Sequence, residues 1–218
     1  MHRLMRLIAF VGGLMFTNVA VAGEFNEILS VGDAAPAWKD LPGVDGKKHS
    51  LSDYKDRDVV VLVFTCVSCP TAEDYEGRIN DLAIRFGGDK SKVAVVAVCV
   101  NRVKGDQLPD LTERAKVKGF AFDYLYDESQ KIAKDYGAIF TPEFYVLNRD
   151  RKLVYMGALD DHSDASKVKK QFVVSAITAA LAGETPEVKE TIARGCRVRY
   201  ARERKGQYLL PFAGRPLG

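Results

Sequence analysis

An unbroken apolar run that ends in two cysteines constrains this chain more than any other feature. Residues 59–70 read VVVLVFTCVSCP. Residues 59–64 carry no polar side chain, so neither face suits water, and the run predicts a strand buried on both sides within a parallel sheet. Cys66 and Cys69 follow at once. Residues 71–86 then place apolar side chains at 75, 79, 82, 83 and 86, the spacing of a one-faced helix, and Gly87 and Gly88 stop it. A second apolar run, KVAVVAVCV at 92–100, completes a right-handed βαβ unit with parallel neighbouring strands.

A strand that delivers a Cys-x-x-Cys pair to a helix start points to thiol–disulfide exchange. The attacking species is the thiolate, so the thiol pKa must fall. A helix N-terminus supplies free backbone N–H groups and the positive end of the helix dipole, worth about 0.3–1 kcal/mol exposed and up to about 2 kcal/mol partly buried. Pro70 suits the first helical turn, where its missing N–H costs nothing. Cys66, at the outer end, is the expected nucleophile, and Cys69, inside the first turn, the resolving thiol that releases a mixed disulfide by intramolecular attack. A structural zinc half-site is the weaker reading: no second Cys-x-x-Cys exists, and His49 and His162 lack ligand spacing. A purely structural disulfide is weaker too, because so tight a loop makes a poor staple. No metal and no cofactor beyond a redox-active Cys66–Cys69 disulfide is expected.

The remaining chain frames this unit. Residues 1–22 carry Arg3 and Arg6, an apolar stretch at 7–16 and a small-residue Ala20-Val21-Ala22 site before Gly23, the pattern of an export signal. The protein is therefore expected to be exported, periplasmic or otherwise extracytoplasmic, or anchored by residues 7–22 if the signal stays on. An oxidising compartment lets disulfides persist, which matters for a chain with four cysteines. The net charge of +3 and the lack of a basic tract with interleaved aromatics before the tail argue against nucleic acid.

Trp38 and Leu41 are expected anchors, and the GVDG turn at 43–46 predicts an N-terminal hairpin ending near residue 51. A helix is predicted at 108–118, a strand at 120–126, and a helix capped by Asp127 with Gln130 in the capping-box position. A hairpin at 143–156 and a long helix at 164–181 follow. The result is an α/β domain at 23–183, a mixed central sheet flanked by helices, followed by a basic C-terminal tail at 184–218 that carries Cys196.

The segments VVLVFTCVSCPTAEDYEGRINDLA, VKGFAFDYLYDESQKIAKDYGAIFTPEFYVLNRD and GCRVRY, in this order, resemble bacterial redoxins of the thioredoxin-like AhpC/TSA group. The resemblance implies a thioredoxin-like fold, a redox pair at Cys66 and Cys69, and a cis peptide at Pro142 facing them, with Thr65, Thr141 and Glu143 as supporting residues. Two departures stand out. Such proteins often bury an acid six residues before the first cysteine, and here that position is Val60; they often place Trp directly before that cysteine, and here it is Thr65. Glu73 and Glu143 are the candidate replacements for the missing acid. The peroxidatic pattern P-x-x-x-[ST]-x-x-C is also missing, because its positions before Cys66 are Val59 and Val63 and before Cys69 are Leu62 and Cys66.

Cys99 lies among valines and alanines and is expected to be buried and inert. Cys196 is a candidate additional redox residue, with partners open among Cys66, Cys99 and a second chain. The leading reading is an exported thiol–disulfide oxidoreductase acting on protein or small-molecule thiols and disulfides, coupled to an upstream electron donor or acceptor protein. A thiol-dependent peroxide reductase, antioxidant in role, is the alternative. The third reading is a non-catalytic module whose basic residues at 194–205 hold an acidic partner.

Overall fold

The computed structural model describes residues 23–88 and 90–201; the expected export signal and residues 202–218 lie outside them. The short strands β1 (Leu41–Pro42) and β2 (Lys48–His49) pair as the expected N-terminal hairpin. Strand β3 (Val59–Phe64) leads into helix α1 (Pro70–Phe86), strand β4 (Val93–Cys99) and helix α2 (Leu108–Lys118). Next come strand β5 (Asp123–Tyr126), helix α3 (Lys131–Tyr136) and strands β6 (Phe140–Thr141), β7 (Glu143–Leu147) and β8 (Leu153–Gly157). Helix α4 (Phe172–Ala182) and strand β9 (Cys196–Arg197) complete the order.

The main sheet runs β5-β4-β3-β7-β8, with β3–β4 and β4–β5 parallel and β3–β7 and β7–β8 antiparallel. Every residue of β3 and β4 is buried, as their unbroken apolar runs require. Alternation along β3 divides the core into two layers. Val59, Val61 and Val63 pack with Tyr75, Ile79 and Leu82 of α1 and Val173, Ala176 and Ile177 of α4. Val60, Leu62 and Phe64 pack on the other face with Trp38, Tyr54, Tyr145 and the α3 residues Ile132 and Tyr136. Val60, where an acid was the familiar expectation, is thus one more apolar residue in a closed layer.

Three segments differ from expectation, each for a reason of hydrogen bonding. The helix predicted at 164–181 begins only at Phe172. Asp164 caps a short 3-10 turn at Ala165–Lys167, and Asp161 accepts the backbone N–H groups of Lys169 and Lys170 at 2.9 and 3.0 Å, removing them from any helix. Gln130 does not complete a capping box. It takes a left-handed conformation at φ 63°, and its amide reaches the carbonyls of Val100 and Arg199 instead, while Asp127 accepts from the Ile132 N–H. Finally, residues 184–201 of the expected basic tail are docked on the domain. They run back along the domain, pairing Met156 with Glu190 and β6 with β9, and bury Ala193 and Val198.

Candidate active site

The loop between β3 and α1 carries both cysteines of the pair. Thr65 continues the ladder by donating its N–H to the Val98 carbonyl at 3.0 Å, and it is buried. Cys66 and Cys69 are only 2 % and 1 % exposed, so the pair lies beneath the surface. Cys69 is the N-cap of α1, its sulfur accepting the Ala72 N–H at 3.4 Å, and Pro70 opens the helix. The helix start therefore addresses one of its free N–H groups, that of Ala72, to sulfur.

Across from the pair stands Thr141-Pro142, whose peptide bond is cis. The Cys66 thiol donates to the Thr141 hydroxyl oxygen at 3.5 Å, and that hydroxyl in turn donates to the Cys196 carbonyl at 3.3 Å. The Cys69 sulfur lies 3.5 Å from the Thr141 carbonyl oxygen. Strand β9 pairs antiparallel with β6, placing Cys196 opposite Thr141 and Arg197 opposite Phe140. Gly195 makes this approach possible: a Cβ there would stand 2.0 Å from the Thr141 oxygen. The expected Cys66–Cys69 disulfide is not the bond present. Cys69 is joined to Cys196 across 127 residues, with a Cα separation of 6.0 Å, and Cys66 is a free thiol.

The acid at this site is one the sequence pattern did not single out. Asp106, in the loop between β4 and α2, is fully buried. One carboxylate oxygen accepts the N–H groups of Val67 and Ser68 at 2.9 and 2.7 Å. The other accepts the Ser68 hydroxyl at 2.6 Å and the Asn101 amide at 2.9 Å. All four donors converge on one charge, and the two residues between the cysteines are fixed by it. Hydrogen bonds to a charged group are worth about 1.5–3 kcal/mol each, so Asp106 is the chief clamp on the loop. A lone Asp after Gly105 in a polar loop offered no pattern to find it by.

Neither of the two expected acids hydrogen-bonds a cysteine. Glu143 is buried and accepts the N–H groups of Ile139 and Phe140 and the Tyr145 hydroxyl, each at 2.8 Å. Its place in β7 shares parity with Tyr145, in the layer with Phe64, so it braces the β6 segment from the face opposite α1. Burial pushes its carboxyl above the ordinary range, against the pull of those three donors. Glu73 pairs with Arg114 at 2.7 Å on the α1–α2 surface, and that hydrogen bond holds its carboxyl below the ordinary range.

Burial pushes the Cys66 thiol above its ordinary range; the Thr141 hydroxyl opposes this and the Asp106 charge adds to it, while the Cys69 N–H and the Ser68 hydroxyl pull the other way. Cys99 is fully buried, donates to the Asp106 backbone carbonyl at 3.4 Å, and burial raises its thiol well above the ordinary range. Among the described residues no group of three or more His, Cys, Asp or Glu is placed to hold a metal ion.

Residues 31–156, over half of the chain, match the model of the AhpC/TSA family. That span contains Cys66, Cys69, Asp106, Thr141 and Pro142 but stops before Cys196. A provisionally named peroxiredoxin of Mycobacterium tuberculosis is 27 % identical over 117 residues, covering 54 % of this chain and 69 % of its own length. A solved structure from Geobacillus kaustophilus, an uncharacterised conserved protein, superposes with a TM-score of 0.74 at 30 % identity, covering 82 % of this chain and 96 % of its own. A provisionally named thioredoxin of Neisseria meningitidis shares the fold, with a TM-score of 0.54 at 21 % identity over 69 % of this chain and 92 % of its own. The chain belongs to the AhpC/TSA family and is a redoxin-type oxidoreductase of thioredoxin-like fold.

Proposed function

We propose that this AhpC/TSA-family protein exchanges disulfides, with Cys66 attacking the substrate and Cys69 resolving. The supporting observation is the meeting, in one buried place, of a free thiol at Cys66, a disulfide sulfur at the α1 N-cap and the Thr141-Pro142 segment. In the reductive direction Cys69 must first be freed from Cys196 by an electron donor. The Cys66 thiolate then attacks one sulfur of the substrate disulfide; a Cys66–substrate bond forms, the substrate bond breaks, and the departing thiolate takes a proton. Cys69 next attacks the Cys66 sulfur, closing Cys66–Cys69 and releasing the second substrate thiol. Asp106 acts as a positioning residue, because its bonds to Val67 and Ser68 fix the spacing of the two sulfurs. Thr65, Thr141, Pro142 and Glu143 support the site without reacting.

Substrates in this reading are protein or small-molecule thiols and disulfides, served by a partner that supplies or removes electrons. In this reading the work lies outside the cytoplasm, where disulfides persist, and the signal-like pattern of residues 1–22 supports it. Peroxide reduction is the second reading, favoured by the peroxiredoxin name of the mycobacterial relative. The missing peroxidatic pattern weighs against it. Insulin-disulfide reduction measured beside hydrogen peroxide consumption separates the two. Insulin reduction that falls about a hundredfold or more in Cys66→Ser is expected; peroxide consumption without insulin reduction would replace the first reading by the second.

A further inference from the structure

Strand β9 is held by two kinds of bond that respond differently to redox state. Its backbone pairs with β6, Val198 donates to the Ile139 carbonyl at 2.8 Å, and Cys196 is bonded to Cys69. Further along, Arg199 donates its N–H to Asn101 at 2.9 Å and Ala201 donates to Gln130 at 2.7 Å. Upstream, the Thr191 N–H donates to the Met156 carbonyl at 3.1 Å. Residues 195–198 are thus a short span between firm anchors, and the one covalent tie within it ends on a sulfur of the Cys-x-x-Cys pair.

Cys66, the free thiol, belongs to the same buried cluster as Cys69, and Cys196 packs against that cluster. The Thr141 hydroxyl touches both sides, accepting from the Cys66 thiol and donating to the Cys196 carbonyl. We propose that Cys196 is a third redox thiol of this site: Cys66 displaces it from Cys69, so that the chain alternates between a Cys69–Cys196 form with β9 locked and a Cys66–Cys69 form with β9 released. The step is an internal exchange. Cys66 gives its proton to solvent base and its thiolate attacks the Cys69 sulfur; the Cys66–Cys69 bond forms as Cys69–Cys196 breaks, and Cys196 leaves as a thiolate that takes up a proton. No electrons are gained or lost overall, so no outside oxidant or reductant is needed.

The two forms differ in what they leave open. In the locked form the β6 edge beside both sulfurs is paired and Cys66 is 2 % exposed. In the released form the two-residue ladder, the Val198 bond and the Thr141 hydroxyl bond to the Cys196 carbonyl are left to hold residues 195–198. Such a ladder is too short to persist by itself. The disulfide partner of Cys69 would then decide whether the site is covered. The inference rests on the disulfide-exchange reading above but does not need a substrate for its test.

The oxidised full-length protein, freed of external thiol, is incubated across a pH series, quenched with acid and mapped by mass spectrometry without reduction. Both the Cys69–Cys196 and the Cys66–Cys69 peptides are expected, interconverting about tenfold faster per pH unit while Cys66 remains mostly protonated. Cys66→Ser should hold only Cys69–Cys196, and Cys196→Ser should form only Cys66–Cys69. Amide hydrogen exchange at residues 196–198 should quicken in Cys196→Ser while exchange in β3 and β4 is unchanged. A wild type that never yields the Cys66–Cys69 peptide, or a Cys196→Ser protein with β9 amides as protected as in the wild type, overturns the proposal. Insulin reduction assayed on the same samples separates the two readings. Activity without internal exchange sinks the third-thiol proposal alone, and internal exchange without activity on insulin supports it while sinking the proposed function.

Discussion

Two buried carboxylates flank the cysteines, and they do the same mechanical work on opposite faces of the sheet. Asp106 gathers the N–H groups of Val67 and Ser68 and so fixes the loop between the cysteines. Glu143 gathers those of Ile139 and Phe140 and so fixes the segment leading to Pro142. Each clamps one wall of the site. Their electrostatic effects differ: the Asp106 charge raises the Cys66 thiol pKa, whereas Glu143 acts on Tyr145 and Tyr200. Glu143 directly follows Pro142 in sequence, yet strand alternation turns it away; Asp106 is 40 residues from Cys66, yet the β4–α2 loop folds it underneath. Proximity to the chemistry follows strand parity and loop path.

The largest effect that would break this comparison is expected from Asp106→Ala. It leaves four donors without their acceptor, two of them backbone N–H groups of the cysteine loop. Denaturant unfolding should lose about 3–5 kcal/mol, and insulin reduction should fall with it. A loss within about 0.5 kcal/mol would show that the loop holds itself. Glu143→Gln should cost less, about 1–3 kcal/mol, since the amide keeps an acceptor and burial already disfavours the charged carboxyl.

The comparison sharpens in the titration of Cys66. Removing a negative charge lowers a neighbouring thiol's pKa, so Asp106→Asn should move the alkylation-versus-pH curve of Cys66 to lower pH. Glu143→Gln should leave that curve in place; a shift equal to that of Asp106→Asn would mean the two carboxylates both reach the thiol. In the wild type the Cys66 rate should still be climbing past about pH 8.5, the ordinary thiol value, because burial holds the thiol protonated. The smallest effect belongs to Glu73→Gln, whose partner Arg114 is also paired with Glu76. Neither the Cys66 curve nor insulin reduction should change, and a change in either would return Glu73 to the list of acids.

Much of the frame was legible in the chain because its signals are local. The runs at 59–64 and 93–100 have no charged or hydrogen-bonding polar side chain to place, and the apolar spacing from 75 to 86 permits only one helical face. The cysteine pair at a helix start was legible for the same reason. What escaped reading depends on contacts between distant segments. The Cys69–Cys196 bond spans 127 residues, and nothing in GCRVRY says that its strand will lie beside Thr141. Asp106 is one acid in a polar loop until the loop folds under residues 67 and 68. The late start of α4 reflects competition that periodicity ignores, since Asp161 and Asp164 take the N–H groups a longer helix would need.

The central claim is that Cys66 makes the first bond to substrate. Its most direct test is a trap: the Cys69→Ser/Cys196→Ser double variant, lacking any resolving thiol, incubated with a disulfide-bonded peptide and mapped by mass spectrometry. A stable adduct joining Cys66 to the peptide is the predicted result. No adduct at Cys66, together with an adduct on Cys69 in Cys66→Ser/Cys196→Ser, would contradict it and assign the attack to the helix cap.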